Sequence, residues 1–251
     1  MALYNGRNSY YDHPNFIRPS IFYRDDVINI FCDASTTAGK NQNVDVCSGF
    51  VSVSSGQIID EYYHCIDNTN SSFGELDALR LAISYGISAA KIYRRVNIFS
   101  DYQAGVFGIR NWIGRWRLLN GNIVGSKVIQ NQQIYLEMAM MLVDSQVSNI
   151  AIYHQKGHVE MNCRPKTLSQ ARNLFSISNG IPKEYADEEF IRYISNWNSY
   201  VDKATRKILM DTDLSTIRYV EPLEFSSANF NQIQRMVAPI LDRIKQNMYL
   251  S

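Results

Sequence analysis

Four acidic residues, Asp33, Glu75, Asp101 and Asp202, stand where carboxylates could do chemistry. Asp33 follows the apolar run Val27 to Phe31 and Asp101 follows Val96 to Ser100, so each is expected where a strand runs out and its side chain can enter a cleft. Glu75 and Asp202 are expected to open helices. Carboxylates converging from two strand ends and two helix starts repel one another unless cations sit between them, and all-oxygen ligand sets select Mg²⁺ or Mn²⁺. That chemistry is metal-ion work on a phosphate. Taken singly, each acid has a blander reading, since acids in a first helical turn ordinarily complement the macrodipole. What separates these four is the sequence around them.

The elements that must position them can be read from periodicity. Strands are expected at 27–34, 46–53, 58–66, 96–99 and 149–153, with Ser55-Gly56 as a tight hairpin that pairs the second and third antiparallel. Residues 72–93 carry a helical stripe of Leu76, Leu79, Ala82, Ile83, Ile87 and Ala90, and 130–143 carry one of Ile134, Met138 and Met141. The methionines there read as core. Strand then alternates with helix, so the fold class is α/β, a mixed sheet flanked by helices.

The neighbourhood of Asp101 reads Asp101-Tyr102-Gln103, Gly108-Ile109, Trp112-Ile113 and Trp116. This resembles the segment D-S-Q-x(4)-G-I-x(2)-W-I-x(2)-W of type 1 ribonuclease H, with every spacing kept. Ile28 to Ser35 resembles that family's first strand with its D-G-S ending, and Gly74-Glu75-Leu76 resembles its A-E-L helix start. Lys156-Gly157-His158 matches the K-G-H loop, and Asn198 to Lys203 is similar to the N-x-x-V-D-K of reverse-transcriptase ribonuclease H domains. Five motifs in one order carry the resemblance, which spans about residues 27–211.

The resemblance implies a ribonuclease H-like mixed five-stranded sheet, three antiparallel strands then parallel ones, flanked by helices. It implies a catalytic domain over 27–211 between an N-terminal extension (1–26) and a C-terminal extension (212–251). It further implies endonucleolytic hydrolysis of the RNA strand of RNA/DNA hybrids by two Mg²⁺ ions, with Mn²⁺ as substitute, giving 5′-phosphate and 3′-hydroxyl ends. Asp33 would bridge both ions, Asp202 would complete the one that activates water, and Glu75 with Asp101 would hold the one on the leaving-group side. His158 would assist proton movement or product release, as imidazole titrates near neutrality. Gln103 and the stretch Asn70, Ser71 and Ser72 would lie beside the hybrid's minor groove, where the ribose 2′-hydroxyl distinguishes RNA. Lys156 and Asn198 complete the expected substrate contacts.

Several features depart from the family pattern. Thr69-Asn70 precedes Glu75 by one residue more than the family's T-N pair does, and Asp33-Ala34 replaces D-G. The stretch Arg117 to Val128, where some members carry a basic handle, has only Arg117 and Lys127 as cations. The span from His158 to Asp202 is long, and 165–177 and 183–197 are expected as a helical hairpin inserted at about 160–196, before the last catalytic helix. That hairpin could cover the cleft or decorate the fold. Near the C-terminus, Phe230, Ile233, Val237, Ile240, Leu241, Ile244 and Met248 form a helical stripe that Pro239 is expected to kink, packing back on the domain or meeting a protein partner or a second copy.

Composition narrows the classes further. With 25 basic against 24 acidic residues, the electrostatic footprint for nucleic acid has to be local, and Lys91, Arg94, Arg95, then Arg110, Arg115, Arg117, then Lys203, Arg206, Lys207 are the candidate clusters. No stretch approaches membrane-spanning length, and the four cysteines lack C-x-x-C spacing, so a cytoplasmic protein with reduced thiols is expected. Cys32, Cys47 and Cys65 read as small apolar groups on strands. His154, His158 and Cys163 lack the paired cysteines of a zinc set. Two other classes stay open: another nuclease or strand-transfer enzyme of the same fold, and a catalytically silent hybrid-binding module.

Overall fold

The computed structural model describes residues 24–37, 44–119, 122–159, 164–212 and 227–249. Most of the expected N-terminal extension, part of the insertion, Cys163 and residues 213–226 lie outside the described residues. Five strands form one sheet: β1 (Val27–Thr36), β2 (Val44–Ser54), β3 (Gln57–Thr69), β4 (Arg95–Ser100) and β7 (Ile150–His154), with a separate hairpin of β5 (Arg117–Leu119) and β6 (Asn122–Val124). The sheet order is β3-β2-β1-β4-β7. Pairing is antiparallel between β3, β2 and β1 and parallel from β1 to β4 to β7, which is the ribonuclease H-like arrangement expected from the sequence. Ser55 and Gly56 turn the β2–β3 hairpin with positive φ of 50° and 76°, as a two-residue turn matched to strand twist requires.

Alternation along the strands divides the core into two layers. Ile28, Ile30 and Cys32 of β1, Val96 and Ile98 of β4, and Ile150 and Ile152 of β7 face α1 (Ser71–Ala89), α3 (Gln132–Ser145) and α6 (Ser227–Tyr249). Phe31, Phe99 and Tyr153 point the other way and stack as a ladder, with ring centroids 5.0 and 5.1 Å apart. α4 (Pro165–Asn179) and α5 (Glu188–Asp211) cover that ladder through Leu168, Ala171, Phe175, Phe190, Ile191 and Ile194.

Two expectations about the helices need correction. The second helix of the expected hairpin is not a separate piece: α5 runs unbroken from Glu188 to Asp211, so Asp202 lies well inside a helix rather than at its start. Asp187 caps α5, its carboxylate accepting from the Phe190 amide at 2.8 Å. Arg110 is also not part of an exposed basic patch. It is 3% exposed, turned inward by the π-helical turn Gly108–Trp112 that follows α2 (Gln103–Phe107). The C-terminal stripe packs back on the domain. Phe230, Val237, Leu241 and Ile244 join the core, Pro239 lies inside α6, and Gln234 donates to the carbonyls of Ile113 and Trp116 at 2.6 and 2.8 Å.

Candidate metal centre

β1 and β4 are parallel neighbours with Cys32 opposite Ser100. The next residues are Asp33, which lies inside β1 short of its end rather than where the strand runs out, and Asp101, which follows β4, so the register sets two carboxyls side by side just past the last β1–β4 pair, where open α/β sheets form their crevice. Glu75 joins them from the first turns of α1, brought in by a glycine. A Cβ on Gly74 would lie 2.1 Å from Val46 Cγ1 and 3.3 Å from Ala34 Cβ, so no larger residue permits this approach of α1 to the sheet. Ser48 Oγ donates to the Gly74 carbonyl at 2.9 Å and fixes the contact. The result is a set of carboxylate oxygens from Asp33, Glu75 and Asp101 that all lie within 4.8 Å of one another.

Asp202 lies outside that distance. Its carboxylate is 3.0 Å from Arg206 one helical turn on, yet its charge acts on Asp33, Glu75 and Asp101 alike. α5 is held over β1 by Ser35, whose hydroxyl donates to the Asp202 carbonyl at 3.3 Å and lies 2.9 Å from Thr205 Oγ1.

Electrostatics at this point of the fold are adverse to bare carboxylates. Burial pushes the Asp33 carboxyl well above the usual range, and the Asp101 and Glu75 charges push it further. Glu75 is raised to about 8, by burial first and then by Asp101 and Asp202. Burial raises Asp101 too, while a hydrogen bond from Asn198 and the His158 charge oppose the rise. Glu75 Oε2 is buried with no hydrogen-bond partner among the described residues. An unsatisfied oxygen inside a cluster of mutually repelling acids is the environment a hard divalent cation relieves, so the residues fit such an ion.

Asn198, Gln155 and Gly157 hold Asp101 in place, and of these the sequence did not single out Gln155. Asn198 Nδ2 donates to Asp101 Oδ2 at 3.2 Å, and Gln155 Nε2 donates to Asn198 Oδ1 at 2.6 Å. Asn198 was expected at the substrate; instead it is buried, with its amide spent on Asp101 and Gln155, so it orients a carboxylate. A Cβ on Gly157 would fall 2.1 Å from Asp101 Oδ2, which explains the glycine of the Lys156-Gly157-His158 loop. His158 is exposed with φ of 53°. His154 is no metal ligand here: Nδ1 lies 3.0 Å from Ser178 Oγ and Nε2 3.2 Å from the Asp101 carbonyl. Burial brings its pKa down to about 4.

Of the expected substrate contacts, Asn70 and Ser72 are joined by a hydrogen bond at the start of α1. Asn70 caps α1, accepting from the Phe73 amide at 2.9 Å and from Ser72 Oγ at 2.6 Å. Asn131, which the sequence reading missed, has left-handed backbone at the start of α3 and donates to Asn70 Oδ1 and Ser72 Oγ, both at 3.2 Å. Ser71 is exposed at the start of α1 and Gln103 at the start of α2, and Lys156 is half-buried. Arg115 and Arg117 are exposed and line a cleft of about 700 Å³ with Trp112 and Trp116.

No family model matches the chain, nor does any curated protein. Among solved structures, the PFV RNase H domain is 18% identical, the match covering 70% of this chain and 94% of that one at a TM-score of 0.42. LC11-RNase H1 isolated from compost is 16% identical over 61% and 95% of the two chains, TM-score 0.38. RNase H1 from the halophilic archaeon Halobacterium salinarum is 16% identical over 61% and 96%, TM-score 0.37. The fold is ribonuclease H-like. At these identities and TM-scores nothing about chemistry transfers, and the chemistry rests on the side chains above. No helix among the described residues is long and apolar enough to cross a membrane.

Proposed function

We propose that the protein is a divalent-metal-dependent ribonuclease H, cutting the RNA strand of RNA/DNA hybrids and leaving 5′-phosphate and 3′-hydroxyl ends. The observation that carries this reading is the meeting of carboxylate oxygens of Asp33, Glu75 and Asp101, from β1, α1 and the residue after β4, within 4.8 Å. Asp202 is the fourth acid, facing the same cluster from α5 and free to exchange Arg206 for a cation. When bound, Mg²⁺ or Mn²⁺ supplies charge neutralisation and Lewis-acid activation at the scissile phosphate.

The chain's own residues do the rest. Asn198 and Gly157 hold the Asp101 carboxylate in one orientation. His158, exposed on the loop beside Asp101, is placed to move a proton between the site and solvent. Gln103 and the Asn70–Ser72 rim, extended by Asn131, offer amides and hydroxyls suited to hybrid backbone and 2′-hydroxyl groups, the contacts by which RNA is told from DNA. The hybrid is the proposed nucleic-acid partner, and the boundaries 27–211 are the proposed catalytic unit. End analysis of the fragments tests the reaction class: 5′-phosphates that support ligation agree with it, and 2′,3′-cyclic phosphates rule it out.

A further inference from the structure

The last residues of α4 reach the end of β7, beside the end of β4 that precedes Asp101. Asn179, 2% exposed, acts as a neighbouring strand would: its Nδ2 donates to the His154 carbonyl at 2.7 Å and its Oδ1 accepts from the His154 amide at 3.0 Å. These bonds use backbone groups on the edge strand β7 that would otherwise be unpaired there. Arg110 anchors the same end of α4. It donates to Asn179 Oδ1 at 2.9 Å and to the Ser178 carbonyl at 2.5 Å, a cation at a helix C-terminus.

The His154 ring is thereby set between Ser178 and Asp101. A carbonyl oxygen only accepts, so Nε2 must carry the proton that bonds the Asp101 carbonyl, and Nδ1 must accept from the Ser178 hydroxyl. We infer that the α4 insertion is a positioning element for the metal centre: Ser178 holds the His154 ring through Nδ1, and His154 fixes the Asp101 main chain from which the carboxylate projects. The helix lies on the sheet face behind the strand ends, with Leu168, Ala171 and Phe175 in the core shared with Phe99 and Tyr153. It is a buttress built into the chain, with Ser178, Asn179 and His154 as positioning residues.

This inference rests on the divalent-cation reading and is tested on binding rather than turnover. Ser178→Ala removes the hydroxyl without touching the core, and Ser178→Thr keeps it. Mn²⁺ alone is titrated into the full chain and followed by electron paramagnetic resonance, and the hydrogen bond to His154 Nδ1 is read from ring ¹⁵N shifts. The expected result is an affinity for Mn²⁺ reduced roughly threefold to tenfold in Ser178→Ala, below the range for groups that touch a metal ligand's own donor atoms. The Nδ1 signal moves towards that of a ring nitrogen without a hydrogen bond in that variant, the unfolding midpoint stays near the parent's, and Ser178→Thr recovers both signals. Equal Mn²⁺ affinity in parent and Ser178→Ala overturns the inference, as does an equal loss in Ser178→Thr. A parent that binds Mn²⁺ but leaves hybrid uncut would instead remove the nuclease reading and leave the buttress standing.

Discussion

Glu75→Gln should stabilise the metal-free protein at alkaline pH, although it deletes a proposed metal ligand. The Glu75 carboxyl rises from 4.5 to about 8 in the fold. At about 1.4 kcal/mol per tenfold change in proton affinity, ionising it there costs about 5 kcal/mol, an upper figure because the same repulsion is shared with Asp33 and Asp101. The folded state keeps this proton after the unfolded chain has lost it. Stability is therefore full below the unfolded value near 4.5 and falls as pH rises towards about 8, where the folded group also ionises. Gln is neutral throughout and similar in shape. Urea unfolding in chelator at about pH 5 should give similar stabilities for parent and variant, and at about pH 8.5 the variant should be more stable by roughly 2–3 kcal/mol. Saturating Mg²⁺ should restore most of the parent's deficit at the higher pH and do less for the variant, because binding to the folded state alone stabilises it. A parent whose stability in chelator is the same at both pH values, and indifferent to Mg²⁺, would refute the electrostatic account of the site.

Four further substitutions probe the site's parts. Asp101→Asn should cut turnover on hybrid by at least about a hundredfold while affinity for the hybrid changes far less, and His158→Ala should slow the reaction more mildly; single-turnover kinetics with a binding titration separate the two effects. Gly157→Ala forces a methyl group against the Asp101 carboxylate, at a built distance of 2.1 Å from Oδ2, so Mg²⁺ affinity measured by calorimetry should drop while circular dichroism stays as in the parent. Asn198→Ala strands the Gln155 amide and one Asp101 oxygen in a buried place, at a cost of about 1–3 kcal/mol, visible as a lower urea midpoint; an unchanged midpoint would show that the relay contributes nothing.

The mixed sheet was legible from strands that follow one another and then alternate with helices, and Asp33 and Asp101 were legible as residues that follow apolar runs on what prove to be parallel neighbours. Glu75 was legible as a residue of the first turns of α1, and the buried cysteines as small apolar groups. The continuity of α5 could have been read from local signals, since no Gly or Pro occurs between Asp187, which caps it, and Asp211. The rest lives in tertiary contacts that no window of sequence contains. Arg110 looks like a surface cation until the π-helical turn rotates it towards the end of α4. Gln155, Ser178, Asn179 and Asn131 belong to no motif, and their roles follow from what lies across the fold from them.

The central claim is tested most directly by presenting the purified protein with end-labelled RNA/DNA, RNA/RNA and DNA/DNA duplexes of one sequence, each with Mg²⁺ and with chelator. The account predicts cutting of the RNA strand of the hybrid in Mg²⁺, none in chelator, and both homoduplexes left whole. Cleavage that persists in chelator, or that consumes double-stranded DNA as fast as hybrid, would contradict it.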